Sequence, residues 1–255
     1  QVKEIIFSAD SKIEYIPQKA FQGSQIEEIV IPKKVNSIFH ETFSQCQKLK
    51  IVKFYEDSLL DSIGGYAFYA SSIKEIKIPK GVSIIQNSAF SQCKNLEKIE
   101  FSENSFLNTI EKYAFLGSNI RSILIPSKVT AIHAGAFYYC QFLKSIEFEE
   151  NSELNYIGEY AFSNTSIEKI TLPSKVSIIK EKTFARCKNL QVVNFEENSF
   201  LKSIEKGAFS ESSINTLIIP SKLEELQNGW CKNTNCLTSV MVSEDNKNFI
   251  FECIT

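Results

Sequence analysis

The chain has 255 residues, 43% of them hydrophobic, and its 28 basic and 30 acidic residues leave a formal charge of −2. That apolar fraction excludes a disordered chain, and the balanced charge gives no electrostatic reason to expect nucleic acid or an anionic membrane as a partner. No apolar run reaches the length of a membrane span, and the residues after Gln1 form neither a basic n-region nor an apolar h-region, so any targeting signal would lie outside them.

Taken in chain order, two rare residue types fall on one grid. Pro32, Pro79, Pro126, Pro173 and Pro220 are each 47 residues apart, and Cys46, Cys93, Cys140 and Cys187 keep the same step. Phe21, Phe43, Phe68, Phe90, Phe115, Phe137, Phe162, Phe184 and Phe209 are separated alternately by 22 and 25 residues, so the unit is about half of 47, in two variants. Five or six residues after each Phe comes an apolar-x-x-apolar-x-apolar motif. Its copies begin at Val2, Ile26, Leu49, Ile73, Leu96, Ile120, Leu143, Ile167, Leu190, Ile214 and Leu237. The alternating β-branched and aromatic residues at its end predict a strand with one buried face, and strands so far apart in sequence predict one parallel sheet with a strand per coil.

After the strand, one variant has proline, as in Ile125-Pro126-Ser127-Lys128, and proline stops a ladder because it has no N–H. The other has an acidic turn, as in Phe148-Glu149-Glu150-Asn151-Ser152. There Asp10, Asp57, Asn104, Asn151 and Asn198 suit a side chain that bonds its own turn. Two buried apolar residues follow, and then a short segment ending in Ala-Phe or Thr-Phe, expected as a helical turn on the outer face.

A strand motif repeated every 20 to 29 residues is the leucine-rich-repeat signature. The form Ile-(x)4-Ala-Phe-x-x-Cys-x-x-Leu-x-x-Ile-x-Phe, clearest at Ile85 through Phe90, Cys93, Leu96, Ile99 and Phe101 and again from Ile179 through Phe195, resembles the BspA-type leucine-rich repeat. The resemblance implies a right-handed solenoid over residues 1–242. Its coils of 22–25 residues would build one parallel sheet of about eleven strands, with short helical turns or loops on the opposite face. Residues 243–255 are then a C-terminal cap or the start of a further coil. Proteins of this family are surface or secreted molecules of mucosal bacteria and mucosal parasites, associated with adhesion to host cells and extracellular matrix. The implied function is non-enzymatic binding of protein ligands at the cell surface. An intracellular scaffold and an inert stalk remain the alternatives, and the family motif carries over no ligand-binding residue.

The grid cysteines lie two coils, roughly 10 Å, apart, beyond the ~7 Å a disulfide allows. The same position holds Ser71, Ser118, Thr165 or Ser212 in the other coils, so buried thiols in a small slot are expected. Cys231, Cys236 and Cys253 fall off the grid, and one bridge among them would seal an end coil. His40 and His133 share no column. No metal-spaced histidine pair, phosphate loop or nucleophile elbow is present, so no cofactor is expected. Glu56, Glu103, Glu150 and Glu197 beside coils carrying Lys34, Lys128, Lys175 and Lys222 suggest a solvated stripe of alternating charge. The single sequon, at Asn164, places Thr165 in the small interior slot and is not expected to carry a glycan.

Outward strand positions form two columns. Their candidates for protein contact are Ile6, Val30, Ile51, Lys53, Lys77, Leu124, Val192, Ile218 and Met241. Such a face is on the order of 50 Å long, enough for a protein partner. A second candidate face is Tyr66, Tyr113 and Tyr160, each two residues before a core Phe, where rings could bind a partner or cover a small neighbour in the next coil.

Overall fold

In the computed structural model, which describes residues 3–8, 10–234, 237 and 239–242, every recurrence of the motif that falls among those residues forms a strand. The strands run from Glu4–Ile5 through Glu28–Ile31 and Ile51–Phe54 to Ser239–Val242 and stack in parallel, in sequence order. Alternate residues point inward and outward, as in Glu75–Ile78, where Ile76 and Ile78 are buried and Glu75 and Lys77 exposed.

The strands stack in pairs. Four-residue register joins each proline-coil strand to the acidic-coil strand after it: Glu28–Ile31 with Ile51–Phe54, Glu75–Ile78 with Lys98–Phe101, Ser122–Ile125 with Ser145–Phe148, and Lys169–Leu172 with Val192–Phe195. Between pairs the register shrinks to Ile51 with Glu75, Lys98 with Ser122, or Val192 and Val193 with Thr216 and Leu217. The cause is chemical. Pro79 stands where the next N–H toward the Phe54 carbonyl would come and has none to donate, so the ladder opens there. After Phe148 the opening is complete, dividing the face into ladders of seven and four strands.

One sheet was expected, and a second is present. Two-residue strands such as Ser37–Ile38, Ser62–Ile63 and Ile84–Ile85 form a parallel ladder on another side of the coil, broken between Tyr156–Ile157 and Ile178–Ile179. Two residues are too few for alternation to register in a sequence.

Of the helical turns or loops expected opposite the sheet, turns without a helix are found: no helix occurs among the described residues. The segment around each Phe is a run of turns held open by left-handed residues two before and two after the ring, such as Tyr66 (φ 56°) and Ala70 (φ 52°) around Phe68. These residues turn N–H groups along the stack, so the Phe68 N–H donates to the Ala89 carbonyl at 2.8 Å and the Phe90 N–H to Ala114 at 2.7 Å. A left-handed non-glycine residue costs roughly 1–2 kcal/mol. Ala70→Gly is therefore expected to stabilise the protein by about 0.5–1 kcal/mol, read as a raised urea midpoint at constant slope.

The core is a column of phenylalanines. From Phe21 to Phe209, successive rings are stacked with centroids 5.2 to 5.5 Å apart and planes within 20°. Phe43 through Phe209 are fully buried, whereas Phe21 is only half-buried, because its coil stands near one end and has a ring neighbour on one side. At the other end Trp230 closes the column edge-on to Phe209 at 6.0 Å. Beside it runs the small-residue slot. Cys46, Cys93, Cys140 and Cys187 are buried free thiols, and each donates to the carbonyl of a Phe one coil back at 2.9 to 3.1 Å. Ser24, Ser71, Ser118 and Thr165 place hydroxyls 3.3 to 3.5 Å from the same sulfurs. Beyond the small apolar filler expected, the slot is therefore a hydrogen-bonded column. Cys231 is a half-buried free thiol, and the bridge expected among Cys231, Cys236 and Cys253 is not placed, because Cys236 and Cys253 lie outside the described residues, as do Val2 and 243–255.

Candidate functional site

The long strands leave their outward columns in solvent. Ile6 is 82% exposed, Ile218 52% and Leu124 49%, and Val30, Ile51 and Val192 are also exposed. Lys53 and Lys77 are exposed beside them. Met241 belongs to the strand in register with Ile218, although its side chain lies outside the described residues.

Register sorts these candidates into groups that are invisible in one dimension. Val30 and Ile51 sit on successive strands near the N-terminal end, with Ile6 just past the strand Glu4–Ile5, and Val192 and Ile218 on two successive strands roughly 30 Å farther along. The first group is itself interleaved with charge: Glu28 lies opposite Ile51 and Lys53 opposite Val30, and Lys53 donates to Glu28 at 2.6 Å. Between the groups Lys98 donates to Glu100 at 2.6 Å, and the bond to Glu100 raises the pKa of the Lys98 ammonium. Leu124 stands alone beyond this pair, next to Glu147. The face thus carries two groups of exposed apolar residues, the first interleaved with an ion pair and the two separated by charged strands.

The proline seams add relief to it. A groove of about 790 Å³ opens between Phe54 and Pro79, lined also by Ile51, Lys53, Lys77 and Lys98. Smaller ones of about 390 and 280 Å³ lie beside Phe195 and Pro220 and beside Phe7 and Pro32. Every seam follows an acidic-coil Phe, so the three grooves are spaced by multiples of the 47-residue period. The spacing of the prolines was the available signal for them.

The edge of the coil departs from a simple charge stripe. Lys175 pairs with Glu153 and Lys33 with Asp57, whose carboxyl pKa is lowered chiefly by its bond from Lys33. Lys128 and Lys222 instead lie over the rings of Phe106 and Phe200, at 4.3 and 3.7 Å from their centroids. In the acidic turns, Asn104, Asn151 and Asn198 serve by adopting positive φ. The hydroxyls of Ser105, Ser152 and Ser199 accept the N–H two residues on.

Tyr66, Tyr113 and Tyr160 lie on a different wall, that of the turns around the Phe column, each with positive φ. The Tyr113 ring covers Gly135 of the next coil so closely that an added Cβ there would meet it at 2.5 Å. Lys182 donates to the Tyr160 hydroxyl at 2.8 Å. His40 lies edge-on to Tyr66 and bonded to Glu41. Among the described residues no group of three or more His, Cys, Asp or Glu could hold a metal ion. At the sequon, Thr165 is buried with its hydroxyl donated to the Phe162 carbonyl at 2.8 Å.

The family model for the BspA type leucine rich repeat region matches six copies, over residues 14–144 and 108–238. The chain belongs to the BspA-type leucine-rich repeat family. Repeats of this family are generally non-enzymatic binding scaffolds, and leucine-rich repeat proteins in general bind proteins. Among solved structures, a leucine-rich repeat protein of Bacteroides ovatus is 24% identical, with a TM-score of 0.53, covering 89% of this chain and 76% of that one. The pneumococcal vaccine antigen PcpA is 22% identical with a TM-score of 0.56, and the match covers 87% of this chain and 63% of that one. A leucine-rich repeat protein of T. pallidum is 20% identical with a TM-score of 0.53, covering 72% and 76%. These likenesses concern the fold. No curated protein matches. No helix among the described residues is long and apolar enough to cross a membrane.

Proposed function

We propose that this leucine-rich repeat module works at the cell surface or in secreted form, binding host-cell or extracellular-matrix proteins through its long-strand face. The observation that carries the reading is the two groups of exposed apolar residues, Ile6, Val30 and Ile51 in one and Val192 and Ile218 in the other, on the long-strand face. Strand backbones hold those side chains at fixed spacing, so a partner loses little of its binding energy to ordering them. The ion pairs within and between these groups supply orientation more than affinity, because exposed ion pairs are worth little each.

Ile51→Asp and Ile218→Asp, alone and together, test it in binding to extracellular-matrix coats and epithelial monolayers. Each single change is expected to weaken binding about tenfold, as loss of an apolar anchor does, with an unaltered circular dichroism spectrum. A folded double variant that binds as well as the parent protein would refute the reading.

A further inference from the structure

The turn wall carries a feature that protein binding at the strand face does not use. Its left-handed column reads Tyr66, Ser88, Tyr113, Gly135, Tyr160, Lys182, one residue per coil, so that rings alternate with other residues. Tyr113 lies across Gly135 of the coil that follows, Tyr160 meets Lys182, whose ammonium stands 5.2 Å from the ring centroid, and Tyr66 lies edge-on to His40 of the preceding coil. Ser88, following Tyr66, is buried. Tyr66 and Tyr113 expose 36% and 42% of their surface, and Tyr160 is half-buried. Tyr138 flanks Tyr160 edge-on at 5.9 Å and fixes its orientation.

Because only every second coil carries a tyrosine, the rings recur at roughly 10 Å along the stack. One disaccharide of an extended β-linked glycan advances by about the same distance, and its pyranose rings present flat C–H faces that pack on aromatic faces. Phenol hydroxyls at the ring tips supply polar partners for sugar hydroxyls. Glu111 and Glu159 beside Lys112 and Lys180 leave the flanks without net sign, which suits an uncharged chain over a sulfated or uronic one.

We propose that Tyr66, Tyr113 and Tyr160 form a stacking platform for an extended, uncharged β-linked polysaccharide, on a wall separate from the protein-binding face. Each ring takes one sugar of every second residue along the glycan.

Isothermal titration of the full chain with cellohexaose, xylohexaose and chitohexaose is the test, with maltohexaose and heparin as the α-linked and polyanionic comparisons. At least one β-linked hexamer is expected to bind and neither comparison to do so. Tyr113→Ala should weaken that binding about tenfold, the usual scale for loss of an aromatic anchor. Tyr113→Phe should retain it, because the ring face remains. Ile51→Asp, on the strand face, should leave it unchanged. Absence of binding by all three β-linked hexamers would overturn the proposal. So would equal binding of maltohexaose or heparin, or binding that survives simultaneous Tyr66→Ala, Tyr113→Ala and Tyr160→Ala in a folded protein.

Discussion

Phe115→Ala is expected to destabilise the protein by about 3–5 kcal/mol, the range for deleting a fully buried aromatic ring, measured by urea unfolding. The ring is 0% exposed and lies 5.4 Å from Phe90 and 5.2 Å from Phe137, so its loss leaves a cavity bounded by two rings that cannot both move in. Backbone hydrogen bonds from Phe115 to Ala136 and from Phe90 to Ala114 hold the coils at fixed spacing and oppose collapse. The site also lies mid-array. Each coil of a solenoid contacts only its neighbours, so a lesion there uncouples the two halves, and the unfolding transition should broaden as well as shift. Phe21→Ala, at a half-buried ring with a single stacking partner, should cost less than half as much. Equal losses at the two positions would mean that the column is not the source of stability.

The second large effect is alkaline. Burial pushes the thiol pKa of Cys93 and Cys140 up to about 12 and that of Cys187 to about 11, each from an ordinary value of 9.0. In the unfolded chain these thiols ionise near pH 9, whereas in the folded protein they stay protonated. Above pH 9 the folded state therefore binds more protons than the unfolded one, and stability falls as pH rises until the folded pKa is reached. Each thiol contributes about 1.4 kcal/mol per pH unit, so the three together should remove about 4 kcal/mol per unit between about pH 9 and 11. Below pH 9 they add no pH dependence. The comparison is a variant with Cys93, Cys140 and Cys187 all changed to Ser, a residue the chain itself carries at the equivalent Ser71 and Ser118. Tyrosines and lysines titrate alike in both proteins, so the difference between the two stability curves isolates the thiols. Parallel curves up to pH 11 would show that these cysteines are not the buried groups described.

Much of this architecture was legible one residue at a time. Alternation in segments such as Ile76-Lys77-Ile78 marks the inward and outward positions correctly, because side chains in a strand point to opposite faces with period two. Leu124 and Ile218 are accordingly found in solvent and Ile123 and Leu217 in the core. The wall of turns was not legible. Its left-handed positions hold Tyr66, Ala70, Gln92 and Arg186 as readily as Gly117, so residue type gives no sign of the conformation. The hydrogen bonds that force it come from the next coil, 21 to 24 residues away, as from Tyr66 to Asn87 and from Ser88 to Lys112.

By itself, then, the sequence determined the period, the identity of the stacked residues and the face each strand turns to water. These are properties of the repeat unit, and a repeat states them many times over. Tertiary structure decided what depends on contact between units. The strands became pairs separated at proline seams, because whether a missing N–H matters depends on the carbonyl opposite it. The cysteines became donors to phenylalanine carbonyls, because stacking brings each sulfur against the preceding coil. The apolar residues of the exposed face became two groups interleaved with charge, Val30 opposite Lys53 and Ile51 opposite Glu28, because register, rather than distance along the chain, sets which side chains are neighbours.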